Sequence, residues 1–552
     1  MLVALTACTA ALALGDVTRL EEEPAGSPQP VSIAPPDDEE VRATLERFAD
    51  LLPTGSIEMM MTPGPGEREV AAGLLARVAD AARICEGAAL IPAFAAHEEG
   101  PFLLSTTGRD ISLLWVGVNT RERASELGAP LGLEVVWLPR RKGERPIWLG
   151  EARPSPESLR NARLRLTRPL LLLADEATGV FLATTNAEAW NAAVGKLTGE
   201  APFPLPAPPT PDPPRRAALF SPAPAGQPIA FHVDLAMMLE GINDRETVAA
   251  GFSPTVSWKP WWQEISGYAR LSERVLEIDF AATPTPGSLL SDTFLGQQEK
   301  HAFWRYVPAG APFILSANLT SVEDLFDAWL QVLGQGDAAA IKASEEEADS
   351  FFGFPIRGSL LARLGPQCLL AARRNTEQQV EWILFADASN TDSIDRLLQH
   401  ASVRFNAEIE SVEIGDGVFR NASFQESGHH FAWYAWMDKL LAIAGSGAVS
   451  GEDLLYDRQG TATAIPPSLL EDGPHALVLY ADLDATRDLF RTPESNQTDF
   501  LRGRDLDLPT VWLTMDAEAG RNTGRLLVEG RLWLFIERAI PEYSLEPRLG
   551  NR

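Results

Sequence analysis

The sequence predicts an α+β fold: antiparallel sheets with helices packed on one face, in duplicated or elaborated modules that form two main parts. Three observations lead there. Short apolar runs end repeatedly at Asn, Asp or Thr and pass into helical segments. Long stretches alternate apolar with polar residues, and one segment dense in proline divides the chain.

The first observation is clearest in two gapless copies. Phe313 to Ala317, followed by Asn318-Leu319-Thr320-Ser321-Val322-Glu323-Asp324-Leu325-Phe326, aligns onto Leu477 to Ala481, followed by Asp482-Leu483-Asp484-Ala485-Thr486-Arg487-Asp488-Leu489-Phe490. Each copy follows a turn-forming cluster, Pro308-Ala309-Gly310 or Asp472-Gly473-Pro474. The strand ends at a residue whose side-chain oxygen can accept from the first free amides of a helix. Ile229 to Val233 before Asp234-Leu235 is a weaker copy, and related joints stand at Val118-Asn119-Thr120, Thr185-Asn186-Ala187 and Ser389-Asn390-Thr391. The copies lie much further apart than the roughly 20–50 residues of a solenoid repeat, so the chain is not a solenoid.

The alternating stretches suit antiparallel strands. They are Ser266 to Ala281, Arg404 to Phe424 with a Gly415-Asp416-Gly417 turn, and Val511 to Phe535 with Ala519-Gly520. The dividing segment, Ala201 to Pro228, holds eleven prolines and reads as a semi-rigid extended spacer. The expected organisation is a truncated signal-like segment (1–15), an acidic Pro-rich tether (16–45), an N-terminal α+β domain (46–200) and the linker (201–228). A central α+β module (229–460) follows, with a C-terminal module (461–552) packed on it.

Composition limits the function. Hydrophobic residues make up 45% of the 552, enough for a packed core, and the formal charge is −29. A surface that acidic repels phosphate backbones and anionic headgroups, so neither a nucleic-acid partner nor a polybasic membrane-surface role is expected. The basic clusters Arg140-Arg141-Lys142 and Arg215-Arg216 read as isolated turn or linker charges in an acidic molecule. No window reaches the ~18 consecutive apolar residues of a spanning helix.

The N-terminus speaks to location. Within MLVALTACTAALALG, Leu5-Thr6-Ala7-Cys8 resembles a bacterial lipobox, in which small residues precede a Cys whose thiol receives diacylglycerol. The acidic, Pro-rich residues after it suit a solvated tether. Two departures stand beside the likeness: no Lys or Arg precedes Cys8, and only seven residues do. Cys85 and Cys368 each sit in an apolar setting and read as buried free thiols.

A wider resemblance follows from longer runs. Phe352 to Ala371 (FGFPIRGSLLARLGPQCLLA), with Trp382 to Ala386 and Asp387 after it, is similar to bacterial exported and lipoprotein-type families of unknown function. Tyr306 to Leu319 (YVPAGAPFILSANL) and Thr178 to Trp190 (TGVFLATTNAEAW) fit the same pattern of strand, Asn or Asp, and helix. The resemblance implies export and an envelope role, and it transfers no catalytic residue.

A search for chemistry finds no nucleophile elbow, no S-x-x-K, no H-E-x-x-H and no phosphate-binding P-loop, so no catalytic residue is expected. Gly445-Ser446-Gly447-Ala448-Val449-Ser450-Gly451 reads as a small-residue turn, not a dinucleotide loop. Of the seven histidines only His429 and His430 are adjacent, and they point to opposite faces of a strand. No metal or cofactor is expected, and the histidines read as surface or rim residues. The aromatic clusters carry most interest. Trp258, Trp261, Trp262 and Tyr268 surround Pro260 and are candidates for a binding surface, with a core hub as the competing reading. In the second set, Phe431, Trp433, Tyr434 and Trp436, the period-two pair Phe431 and Trp433 reads as core.

The expected function is a non-enzymatic, periplasm-facing envelope lipoprotein. It would be held to the membrane by lipid on Cys8 and would serve as a structural or interaction subunit with envelope protein partners. A lipid- or glycan-binding module, with Trp258 and Trp262 lining a cavity, is one alternative. An unrecognised hydrolase is another.

Overall fold

A computed structural model describes residues 38–61, 101–107, 110–117, 121–122, 133–142, 145–154, 169–199, 219–221, 227, 229–237, 262–272, 274–286, 303, 307, 311–324, 326–327, 338–374, 380–414, 417–424, 430–436, 440–445, 475–489, 508–518 and 520–530. These are mostly antiparallel strand with some helix, an α+β arrangement. They form two compact units. The first takes the described residues up to 237 together with 264–278, and the second takes 262–263 together with 279–530.

The first unit holds helix α1 (Asp38–Phe48), strands β1 (Ile57–Met61), β2 (Phe102–Thr107), β3 (Asp110–Val116), β4 (Leu133–Lys142), β5 (Arg145–Pro154), β6 (Leu170–Asp175) and β7 (Val180–Thr184), helix α2 (Ala187–Thr198), β8 (Ile229–Asp234) and most of β9 (Trp262–Leu271). Every pairing is antiparallel, in the order β4-β5-β6-β7-β3-β2-β1-β8-β9. Alternation along the strands assembles the core. Tyr268, Ala230, Met60, Leu103, Leu114, Leu182, Leu173 and Leu149 stand opposite one another in turn across eight strands. Val41 and Leu45 of α1 and Trp190, Ala193 and Val194 of α2 close over that row.

The second unit follows through β10 (Val275–Pro284) from Asp279 on, β11 (Phe313–Asn318), α3 (Ala338–Phe352), α4 (Ile356–Ser359), β12 (Leu364–Arg374), β13 (Val380–Ala388), α5 (Thr391–Arg404), β14 (Ala407–Ile414), β15 (Gly417–Phe424), β16 (His430–Trp436), β17 (Leu440–Gly445), β18 (Leu477–Asp482), α6 (Leu483–Leu489), β19 (Thr510–Glu518) and β20 (Arg521–Glu529). Its order is β14-β15-β16-β17-β13-β12-β11-β18-β19-β20, again all antiparallel. Strand β16 is buried on both faces. Trp433 packs with Ile394 and Leu398 of α5, whereas Tyr434, its neighbour in sequence, packs with Ile383, Phe385 and Phe419.

The strand-to-helix joints form largely as the sequence expects. Asn186 accepts from the Ala189 amide at 2.9 Å, Asn390 from Ser393 at 3.2 Å, Asp482 from Ala485 at 3.0 Å and Asp234 from Met237 at 2.8 Å. Asn318 departs from its aligned partner Asp482. Its amide nitrogen donates to the His475 carbonyl at 2.7 Å, and Ser321 takes over the capping, accepting from Asp324 at 3.0 Å. The joint at Val118-Asn119-Thr120 lies outside the described residues at 118–120. The expected hairpins also form: Ile414 stands opposite Gly417, and Glu518 opposite Arg521.

The domain boundaries differ from those expected at 201–228 and 460. Strand β8 pairs with β1, so residues from Ile229 complete the first unit instead of opening a central module. Leu219, within the Pro-rich segment, is fully buried in the first unit's core. Strand β18 pairs with β11, so the C-terminal strands extend the sheet of the central ones and do not pack on it as a separate module. Backbone hydrogen bonds between distant segments outweigh a boundary drawn from local proline content.

The cap at Asn390 gives a test. This residue holds φ +64°, a left-handed conformation that Asn and Gly tolerate and Ala resists. Asn390→Ala is expected to lower stability by about 2 kcal/mol, and Asn390→Gly by well under 1 kcal/mol. Urea midpoints of the two variants check the difference.

Candidate functional site

Polar residues inside apolar strands must face one another, because a buried polar side chain needs a partner. In the first unit they do. Ser266 stands opposite His232, His232 opposite Glu58, Glu58 opposite Ser105, Ser105 opposite Ser112 and Ser112 opposite Thr184. The row runs two residues along each strand from the apolar row beneath the helices. His232, Glu58, Ser105, Ser112 and Thr184 are all at most 2% exposed.

The row is bonded within itself at its two ends and to the 53–55 segment in its middle. Imidazole Nδ1 of His232 and Ser266 Oγ share a hydrogen bond of 2.7 Å, and Nε2 lies 3.6 Å from a Glu264 carboxylate oxygen. Glu58 accepts from the Gly55 amide at 3.2 Å, and Ser105 donates to the Pro53 carbonyl at 3.0 Å. A Cβ at Gly55 would stand 2.3 Å from Ser105 Oγ, so this crossing requires glycine. Ser112 and Thr184 hydroxyls meet at 2.6 Å, and Thr184 also accepts from the Asn186 amide at 3.0 Å, which links the row to the start of α2.

Ser266, His232 and Glu264 are the three residue types of a nucleophile, a base and an orienting acid. Here Ser266 lies within a paired strand, and 3.6 Å is beyond hydrogen-bond length for the acid. The geometry ties β8 to β9 first. The histidines departed from their expected surface placement: His232 and His475 are both buried, while His400 is exposed. His475 Nδ1 lies 2.9 Å from Asp516, and its Nε2 is buried with no hydrogen-bond partner among the described residues. No group of three or more His, Cys, Asp or Glu able to hold a metal occurs among the described residues.

The aromatic candidates separate. Trp262 is 3% exposed and meets Phe280 edge-on at 6.0 Å, and its indole N–H donates to the Asn522 amide oxygen at 3.1 Å. Tyr268 is half-buried against the first unit's core. Trp262 is a packing residue, which corrects the surface reading for that ring, whereas Tyr268 packs on the core and keeps intermediate exposure. Trp258, Trp261 and Cys8 lie outside the described residues.

A second, half-buried network joins α5 to its sheet. Asp395 accepts from Arg420 Nε at 2.5 Å and Nη2 at 2.7 Å and from the Trp433 indole at 2.9 Å. Burial alone would raise the Asp395 carboxyl, but the bonds from Arg420 and Trp433 outweigh it and hold it below the ordinary carboxylate range. Burial pushes the free Cys368 thiol up to about 12.

The basic cluster at Arg140-Arg141-Lys142 sits at the end of strand β4 and not in a turn, with Lys142 opposite Arg145. Ahead of it Val136 and Leu138 are 64% and 67% exposed.

Comparison with known proteins adds no family. No family model matches the chain, and no curated protein does. One solved structure, TP0453 in its crystal form IV, aligns over 43% of this chain and 79% of its own, at 7% identity and a TM-score of 0.26.

Two outcomes are expected. A maleimide at pH 8 is expected to label Cys368 much more slowly in the folded chain than in urea, because a thiol pushed up to about 12 is almost wholly protonated there. Because the folded Asp395 carboxyl is depressed, its contribution is present above the unfolded value of about 4 and is lost as pH falls through the folded value. Asp395→Asn should therefore cost about 2 kcal/mol at pH 7 and flatten the acid limb of a stability–pH curve.

Proposed function

We propose that the chain is a non-enzymatic, periplasm-facing envelope lipoprotein, anchored through Cys8 and serving as a structural or interaction subunit built from two duplicated modules. One observation carries the reading: the strand order of the first unit recurs strand for strand in the second. β4-β5-β6-β7-β3-β2-β1-β8-β9 corresponds to β14-β15-β16-β17-β13-β12-β11-β18-β19. Asp234 and Asp482 cap helices after the corresponding strands β8 and β18. Duplication suits a subunit that offers two like surfaces to an assembly. Ser105, buried, and Asp395, partly buried, bond segments distant in the chain, which suits a scaffold.

Expression with the upstream in-frame codons in a bacterial host tests the location. The expected mature chain begins at Cys8, carries diacylglycerol by intact mass and enters the detergent phase. An unmodified chain that retains Met1 and stays in the cytoplasmic fraction would overturn it.

A second reading has a specific observation in its favour, the bond between Ser266 and His232 with Glu264 beyond. A hydrolase using Ser266 predicts labelling by a fluorophosphonate that Ser266→Ala abolishes. The proposed non-enzymatic role predicts no labelling at that residue.

A further inference from the structure

The sheet of the second unit ends on an open strand. At one end of its order β20 is itself paired, with β10; at the other, β14 pairs with β15 and with no further strand among the described residues. Every second residue of such an edge turns its N–H and C=O away from its one partner. The edge is uncovered, because Glu408, Glu410, Ser411, Val412 and Glu413 are all exposed. Its eight residues, AEIESVEI, include neither proline nor glycine, so nothing in them interrupts a further ladder. The corresponding strand β4 differs: Pro139 has no amide hydrogen to give.

Apolar side chains run out to this edge. Phe385, Tyr434 and Phe419 lie on one core row and are each at most 5% exposed. Val412, opposite Phe419, ends that row at 54% exposed. Just before the strand, Val403 and Phe405 are 63% and 36% exposed. A strand laid along β14 would cover Val412 and carry the row one residue further.

Charge selects the occupant. Glu408 and Glu410 share the face of Val412, and Glu413 shares the other with Ile409. Neither Glu410 nor Glu413 has an ion-pair partner among the described residues. Arg420 on β15, opposite Ser411, is taken by Asp395. A second copy of β14 would set carboxylates beside carboxylates, between chains of net charge −29. A strand with Lys or Arg opposite the glutamates and an aliphatic residue opposite Val412 meets none of that repulsion.

We propose that β14 receives an extended basic segment of a partner protein by strand addition. Run antiparallel, the segment places an aliphatic residue opposite Val412, then Lys or Arg two and four residues later, opposite Glu410 and Glu408. The inference deepens the interaction role proposed above and rests on it, but not on Cys8 or on the location.

The full chain is titrated with a fluorescent peptide, TKVTKVKT, whose lysines fall opposite Glu413, Glu410 and Glu408 and whose first valine falls opposite Val412. Each cross-strand charge pair is worth a factor of about two to five. The peptide should bind at least about tenfold tighter than TEVTEVET, and than a scrambled peptide of its own composition. Glu410→Lys with Glu413→Lys should weaken it about tenfold and strengthen TEVTEVET. Both positions are exposed, so the variant should keep the parent melting temperature; if it melts lower, Glu410→Gln with Glu413→Gln takes its place. N-methylation of one alternate set of peptide amides should abolish binding, and of the other set leave it. Hydrogen exchange should slow in 407–414 and not in 133–142. Equal binding of the scrambled peptide, no change on charge reversal, protection away from β14 or no binding at all would overturn the proposal. Protection of β14 without peptide, growing with protein concentration, would overturn it in favour of a second copy. A chain lipidated at Cys8 that binds none of these peptides would overturn this inference and leave the envelope location standing.

Discussion

Glu58 is a carboxylate at the second position of a strand whose other residues are isoleucine and methionine, and it is 1% exposed. That strand stays where it is because polar neighbours stand opposite Glu58 on both sides, His232 on β8 and Ser105 on β2. A slip of one residue would carry Glu58 to the other face of the sheet and pull Met60 out of the core row. Apolar packing favours any register of the right parity. The polar row narrows the choice, since a shift of two residues would part His232 from Ser266, Ser105 from the Pro53 carbonyl, or Ser112 from Thr184.

The same constraint organises what surrounds the row. Thr184 bonds the amide of Asn186, and Asn186 caps α2, so the helix that covers the apolar row begins from the polar one. Trp190 of that helix donates its indole N–H to the Leu172 carbonyl at 3.0 Å, fixing its approach to the sheet. In the second unit the linking is done by Asp395, which reaches from α5 to Arg420 and Trp433 on two strands. Cover is fullest over the central strands and fails at β4, where Val136 and Leu138 meet solvent.

Much of this was legible where the chemistry is local. Asn186, Asn390, Asp234 and Asp482 announce helix starts because a cap needs only a side-chain oxygen and an amide three residues on. The hairpins at 415–416 and 519–520 were legible for the same reason, alternation on either side of a small-residue turn. The long pairings were not. Nothing near Ile229 says that its strand joins Ile57–Met61, and the prolines between 201 and 228 pointed to a boundary that the β1–β8 ladder crosses. The WKPWW run gave no clue to which ring faces inward, because burial of Trp262 comes from Phe280 and Asn522, far along the chain. His232 did leave a trace: in IAFHVD it shares the parity of Ala230 and Asp234, not that of Phe231 and Val233.

The most direct test of the register-locking row is native-state hydrogen exchange on the full chain as denaturant is added. The amides of β1 and β8 should open in one step, at the same free energy as those of β2 and β3, because the row binds all four strands together. Exchange of β8 at a distinctly lower free energy than β1, or in step with the strands of the second unit, would contradict it.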